Sequence, residues 1–265
     1  MTLMTGTVLF LGACKKDKDN NNPDPVVTKK ITKVEQDANN YLTFSYNPNG
    51  SLKTVVLATN EEGIPVVQTM NLAYGDNKKI SDITIDGAEH HIAYIYENGV
   101  LSKTEVRDDK NYILRSGSFY YENGRLMNYG EFQPFPLEDG SEGILYKRVS
   151  ETKYTYTTDG NIRTITTNLR NPLTDQLEKA GSHTYEGYDG KKNPLAVFPE
   201  LSLGLFQEVN KSNLLIEKRF DETGKLTETI TRTYTYDSNG YPLTSIEKTV
   251  ENGQTTTKNF KFTYQ

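Results

Sequence analysis

One short pattern recurs along this chain and limits what it can fold into. Six stretches carry it: FSYNPNGSL (44–52), YIYENGVL (94–101), FYYENGRL (119–126), YTYTTDGNI (154–162), RFDETGKL (219–226) and YTYDSNGYPL (234–243). In all six an aromatic residue stands three or four residues before a glycine, and in five Leu or Ile stands two residues after it. Asn98-Gly99 and Asn123-Gly124 supply the positive φ angles of a two-residue hairpin turn, and the longer versions set a glycine where a type I turn closes through a left-handed residue. Gly187 lies outside the aligned copies and is expected to be less constrained. Before the turns, aromatic and polar residues alternate: Tyr234 and Tyr236 between threonines, Phe260, Phe262 and Tyr264 around Lys261 and Thr263. Alternation at period two gives each strand one aromatic face and one wet face.

Further strand candidates, bounded by turn residues, cover 65–74, 79–86, 111–121, 144–157 and 212–221. This amounts to about 12 to 14 strands with short links, which fits an antiparallel up-and-down meander and leaves no room for helical crossovers. The expected fold is all-β: a meander rolled into a barrel-like sheet, forming one domain over residues 30–265, since closure removes the sheet edges. One apolar run, NPLAVFPELSLGLF (193–206), breaks the rhythm. Pro199 can open a short helix with Leu201 and Leu205 on one face, making a helical or irregular plug, or else a movable lid.

The N-terminus speaks to compartment. TGTVLFLGAC is too short for a membrane-spanning helix, and its small residues before Cys14 suit a peptidase that cuts ahead of a cysteine to be lipidated. Residues 1–13 then form a lipoprotein signal peptide, although they contain no Lys or Arg, which points to a true start further upstream. The competing reading is a buried strand with a chance cysteine. Cys14 is the single cysteine, so a lipidated chain holds no disulfide and depends on packing. Residues 14–29 are the lipidated Cys and a polar tether, and the fourteen residues 15–28 can span about 45 to 50 Å when extended. Asp17, Asp19 and Asn21 have the alternate spacing of a calcium loop, but Asn22 and Thr28 stand where that loop needs Gly and Glu. The expected location is the outer membrane, through the lipid, on either the cell surface or the periplasmic face.

The Tyr-x-Tyr-Asp-x-x-Gly pattern resembles the tyrosine-aspartate repeats of bacterial Rhs-type shells. Together with the Leu11-Gly12-Ala13-Cys14 junction and TYEGYDGKKNPL (184–195), it gives the chain a resemblance to a family of gut-bacterial lipoproteins of unknown function described as having a porin-like fold. The resemblance implies a barrel and a cell envelope, and no activity. The residues themselves argue against insertion in a bilayer: Thr227, Thr229, Thr231, Thr233, Asn161 and Arg163 alternate with the aromatics, and mean hydropathy is -0.67.

Chemistry is sparse. His90 and His91 are adjacent on a strand and face opposite ways, and His183 stands apart, so no histidine pair is set to ligate a metal. No nucleophile elbow, phosphate loop or His-Glu-x-x-His stretch is present, and Glu61-Glu62, Asp108-Asp109 and Glu138-Asp139 read as solvated turn residues. A net charge of -5 without a basic block disfavours nucleic acid. The chain is expected to be non-catalytic, with no cofactor and no metal. One class of function remains in which Tyr94, Tyr96, Tyr154, Tyr156, Tyr234 and Tyr236 line an interior that binds a small polar or glycan-like molecule. The alternatives are a scaffold or adhesin contacting another envelope protein, in which the same rings are core, and a glycan-active enzyme with two facing carboxylates.

Overall fold

The structure is a computed structural model and describes residues 29–265 apart from 62, 138–142 and 198–209. The expected signal peptide, Cys14, the tether to residue 28 and most of the 193–206 run lie outside the described residues. The first half of the chain forms β1 (Ile31–Glu35), β2 (Tyr41–Tyr46), β3 (Leu52–Glu61), β4 (Ile64–Tyr74), β5 (Ile80–Ile85), β6 (His90–Glu97), β7 (Val100–Asp108) and β8 (Ile113–Glu122). The second half forms β9 (Arg125–Pro136), β10 (Ile144–Tyr156), β11 (Ile162–Arg170), β12 (Leu177–Lys192), β13 (Ser212–Asp221), β14 (Leu226–Tyr236), β15 (Pro242–Glu251) and β16 (Gln254–Tyr264). Each strand pairs with its sequence neighbours, and β1 pairs with β16, so the sixteen strands among the described residues close into one barrel. The up-and-down meander and its closure agree with the sequence pattern, while the strand number exceeds the expected 12 to 14.

Up-and-down order separates the turns onto two rims. The near rim holds the entering Lys30, the final Gln265, and the turns at 47–51, 75–79, 98–99, 123–124, 157–161 and 237–241. Five of the six repeat copies therefore sit on this one rim. The sixth, at 219–226, lies on the far rim, and its Phe220 stands on the opposite face from the inward Arg219 and Glu217; its likeness is confined to turn chemistry.

The near-rim tyrosines explain the repeat. The hydroxyl of Tyr74 donates to the Leu52 carbonyl at 2.8 Å, that of Tyr156 to Leu126 at 2.6 Å, and that of Tyr264 to Pro242 at 2.8 Å. Tyr188 donates to Ile162, and Tyr46 closes the circuit on Ile31 at 2.6 Å. The accepting residue Leu52, Leu126, Ile162 or Pro242 is the one two positions after a repeat glycine. In each case an aromatic on the next strand to reach this rim fastens the preceding turn, Tyr156 being itself part of a repeat copy, and Leu52, Ile162 and Pro242 are buried beneath it.

Asn98 and Asn123 both have φ 50°, and Gly99 and Gly124 have φ 76° and 73°, as a type I′ turn requires. A Cβ at either glycine would meet nothing within 4 Å, so substitution strains the backbone alone. Gly99→Val and Gly124→Val should each cost about 1 to 2 kcal/mol in chemical denaturation. Gly187 corrects the expectation that it is less constrained: with φ 75° inside β12 it belongs to an irregular stretch, where the pairing with β13 shifts between Tyr188 and Lys192. Valine there should cost as much.

Two apolar clusters fill the barrel. The larger joins Ile31, Phe44, Val55, Met70, Ile83 and Tyr94 on β1–β8, and the smaller joins Tyr154, Ile162, Ile165, Tyr185 and Leu214 on β10–β13. After β12 a single 3-10 turn, Pro194–Val197, packs Leu195 against the larger cluster, which is the described part of the expected plug. Asn193 and the buried Asn210 hold the two ends of that segment together, Asn193 Nδ2 donating to the Asn210 carbonyl at 2.8 Å. The outer face of β14 carries Thr227, Thr231, Thr233 and Thr235, and that of β16 carries Thr255, Thr257, Asn259 and Lys261, all exposed. Arg163 is also exposed, but Asn161 is buried at the near rim, where its side-chain oxygen accepts from Ser212 N.

Candidate functional site

The structure divides the six candidate tyrosines. Tyr94 and Tyr96 lie on β6 beside the 75–79 turn, where they help line an open pocket of about 370 Å³ with Asn77 and Ser81. Tyr154, only 9% exposed, is at the centre of the smaller cluster. Tyr156 is fastened to Leu126, and Tyr234 donates to the Leu214 carbonyl at 3.3 Å. Tyr236 donates to Asp189 and stacks near Tyr234, with ring centroids 6.1 Å apart. Burial raises the Tyr234 hydroxyl to about 12, and burial together with the hydrogen bond and charge of Asp189 raises Tyr236 as well. The tyrosines share the inner face, as alternation predicts, but three of their hydroxyls are committed to the wall.

Toward the far rim the inner face changes character. Along β14 the inward residues run Tyr236, Tyr234, Arg232, Ile230 and Glu228. In register beside them stand Glu217 and Arg219 of β13, His183 of β12 and Glu247 of β15. Arg219 Nε donates to Glu217 Oε1 at 2.6 Å, and Arg232 Nη2 donates to Glu217 Oε2 at 3.1 Å. Arg219 also reaches Glu228 at 2.7 Å, and Arg232 reaches Glu247 at 2.9 Å. His183 Nδ1 lies 3.4 Å from Glu217 and 3.2 Å from the Tyr185 hydroxyl. Across the interior Arg115 pairs with Glu131 at 3.3 Å.

Glu217 is 3% exposed. Burial pushes its carboxyl up, but the hydrogen bonds from His183 and Arg219 and the charges of Arg219 and Arg232 outweigh it and leave the pKa at about 2. The surrounding groups are wetter: the Arg219 side chain is 41% exposed, Arg232 19% and Glu228 18%. Inward side chains reached by water mean that this end of the barrel is an open polar vestibule over the tyrosine floor. On β13–β16, Arg219, Arg232 and Lys258 stand against Glu217, Glu228 and Glu247, three cations to three carboxylates. Among the described residues Arg232 Nη1 is buried without a hydrogen-bond partner, a donor left over from the ion pairs. No group of three or more His, Cys, Asp or Glu among the described residues is arranged to hold a metal ion.

Sequence reasoning missed this vestibule because its members meet only through the register of the consecutive strands β12 to β16. Period two was the available signal: Glu228, Arg232, Tyr234 and Tyr236 share one parity on β14. His183 stands apart in the sequence, and register brings it to Glu217. Of the turn carboxylates, Asp108 behaves as expected, accepting from Lys110 N and Tyr112 N, and Glu62, Glu138 and Asp139 lie outside the described residues.

No protein-family model and no curated protein matches the chain. Among solved structures it is similar to a porin-like protein from Bacteroides uniformis ATCC 8492, at 18% identity and TM-score 0.57, over 91% of this chain and 99% of that one. It is also similar to a porin-like protein from Bacteroides vulgatus ATCC 8482, at 13% identity and TM-score 0.54, over 90% and 99%. The likeness establishes a shared barrel fold.

Proposed function

We propose that this chain is a membrane-anchored, non-catalytic envelope lipoprotein whose barrel takes a neutral, hydroxyl-rich ligand of glycan type in the vestibule at its far end. The observation that carries the reading is the charge-balanced, water-accessible set around Arg219, Glu228, Arg232 and Glu247. Carboxylates accept from hydroxyls and guanidinium groups donate to them, and a balanced lining attracts no net charge. Tyr234, next to Arg232 on the inner face of β14, provides the aromatic surface below that set, while the buried Tyr154 and Tyr185 are packed core. The approach of the chain supports the anchoring: Lys29 is ion-paired to Asp237 at 2.5 Å and Lys30 is paired to Gln265, both on the near rim. A tether from Cys14 would then hold the plugged rim toward the membrane and turn the vestibule away from it. The porin-like neighbours fit an envelope location.

With the upstream start restored, Cys14→Ala should move the protein out of the membrane fraction, and an unmodified thiol at Cys14 of the mature protein would end the lipoprotein reading. For the ligand, a glycan array on the full chain should give hits that Glu228→Gln weakens about tenfold by removing a charged acceptor, with the melting temperature lowered far less than by Glu217→Ala. A second reading, scaffold or adhesin, is favoured by the committed tyrosine hydroxyls. An empty array, with Tyr154→Ala strongly destabilising, would leave that reading in place.

A further inference from the structure

The barrel wall is incomplete on its far side. β1 ends at Glu35, whose ladder partner is Lys261, yet β16 begins at Gln254. Among the described residues, Gln254–Phe260 pair with β15 on one side and with no strand on the other. The ladders at the two ends of β16 fix which backbone groups are left over. Lys30 and Gln265 exchange both hydrogen bonds, at 3.1 and 2.9 Å, so Gln265, Thr263 and Lys261 turn their N–H and C=O toward β1, and the same parity continues to Asn259, Thr257 and Thr255. From the other end, Asn252 (φ 49°) and Gly253 (φ 78°) form a two-residue turn closing on Glu251 and Gln254, so the even-numbered residues face β15. Thr255, Thr257 and Asn259 therefore direct their amides and carbonyls to the unoccupied side.

Three comparable overhangs elsewhere are blunted. β9 runs past its last β8 partner, Phe132, with Pro134 and Pro136, and β4 begins beyond its β5 partners with Pro65. The end of β3 is capped by a side chain, Asn60 N donating to Asn40 Oδ1 at 3.1 Å. The β16 edge has neither device among the described residues. The gap from β16 across to β3 is three strand spacings, roughly 14 Å, which leaves places for added strands. Lys258 on the inner face, and Lys248 and Lys261 on the outer face, border it; all three are exposed and none is in an ion pair among the described residues. A second copy of the chain would bring the same lysines to the edge.

We infer that the free edge of β16 accepts an extended, acidic segment of a partner protein as an added β-strand. Backbone pairing with Thr255, Thr257 and Asn259 supplies the affinity, and acidic side chains on either face of the incoming strand meet a lysine.

The test uses the full chain and a fluorescent eight-residue peptide of alternating Glu and Val, followed by anisotropy. Saturable binding is expected, weakened by salt, and at least about tenfold weaker for the Lys-Val peptide because of like-charge repulsion. Thr257→Pro should abolish binding while leaving the melting temperature near wild type, since its N–H serves no existing ladder; Thr256→Pro, which breaks the β15 ladder, should lower it. A fully N-methylated Glu-Val peptide, which leaves the protein unaltered, should not bind. The inference is overturned if the Glu-Val peptide does not bind, if binding survives Thr257→Pro or N-methylation, or if the chain self-associates through this edge and Thr257→Pro makes it monomeric.

Discussion

Glu217→Ala is expected to destabilise the barrel by about 3 to 5 kcal/mol, the range for removing one member of a buried ionic network. Arg219 and Arg232 would each lose a carboxylate, and Arg232, already carrying one unpartnered nitrogen, would keep only Glu247. The same carboxylate sets a pH dependence. Its pKa is about 2 in the folded chain against an ordinary 4.5, so its contribution is fully present above the unfolded value and is lost as pH falls through the folded one. The difference corresponds to something on the order of 3 kcal/mol at neutral pH. Melting temperatures measured from pH 6 down to pH 2 should fall in the wild type mainly below 4.5. Glu217→Gln, lower at neutral pH, should fall far less over that window. Parallel curves for the two proteins would assign acid sensitivity to other carboxylates.

Tyr154→Ala should cost about 3 to 5 kcal/mol by opening a cavity among Ile162, Ile165, Tyr185 and Leu214. Tyr156→Phe, which keeps the ring and removes only its hydrogen bond to Leu126, should cost about 1 to 2 kcal/mol. The pair of urea titrations separates the two uses of aromatic residues in this barrel, bulk and fastening. If Tyr154→Ala were nearly neutral, the smaller cluster would not be a packed core, and the tyrosines would be free to serve as a ligand surface.

Much of the architecture was legible because hairpins are local. Asn98-Gly99 and Asn123-Gly124 declare their turns, and the threonines of β14 declare which face is wet. What could not be read was register between distant strands. The short β1, ITKVE, offers little alternation, and β9 carries two prolines, yet both are strands because a neighbour supplies the ladder. Gly187 falls outside the repeat pattern, yet it and Gly190, both at positive φ, lie within one 16-residue strand. The aromatic half of the interior was visible as period-two tyrosines. The charged half was not, since Glu217 becomes a buried anion only when His183, Arg219 and Arg232 converge from three strands.

Closure at β1 and β16 has a consequence for how the molecule assembles. Every other ladder joins strands adjacent in the chain, so each can form as soon as its hairpin exists, whereas Ile31 waits for Tyr264. The seam is short and carries the whole entropy of ring closure. Until it zips, the protein is an open ribbon with two long unsatisfied margins, competent to pair with another ribbon instead of with itself. Loosening the seam should slow the final folding phase and favour interlocked multimers, without disturbing any hairpin along the way.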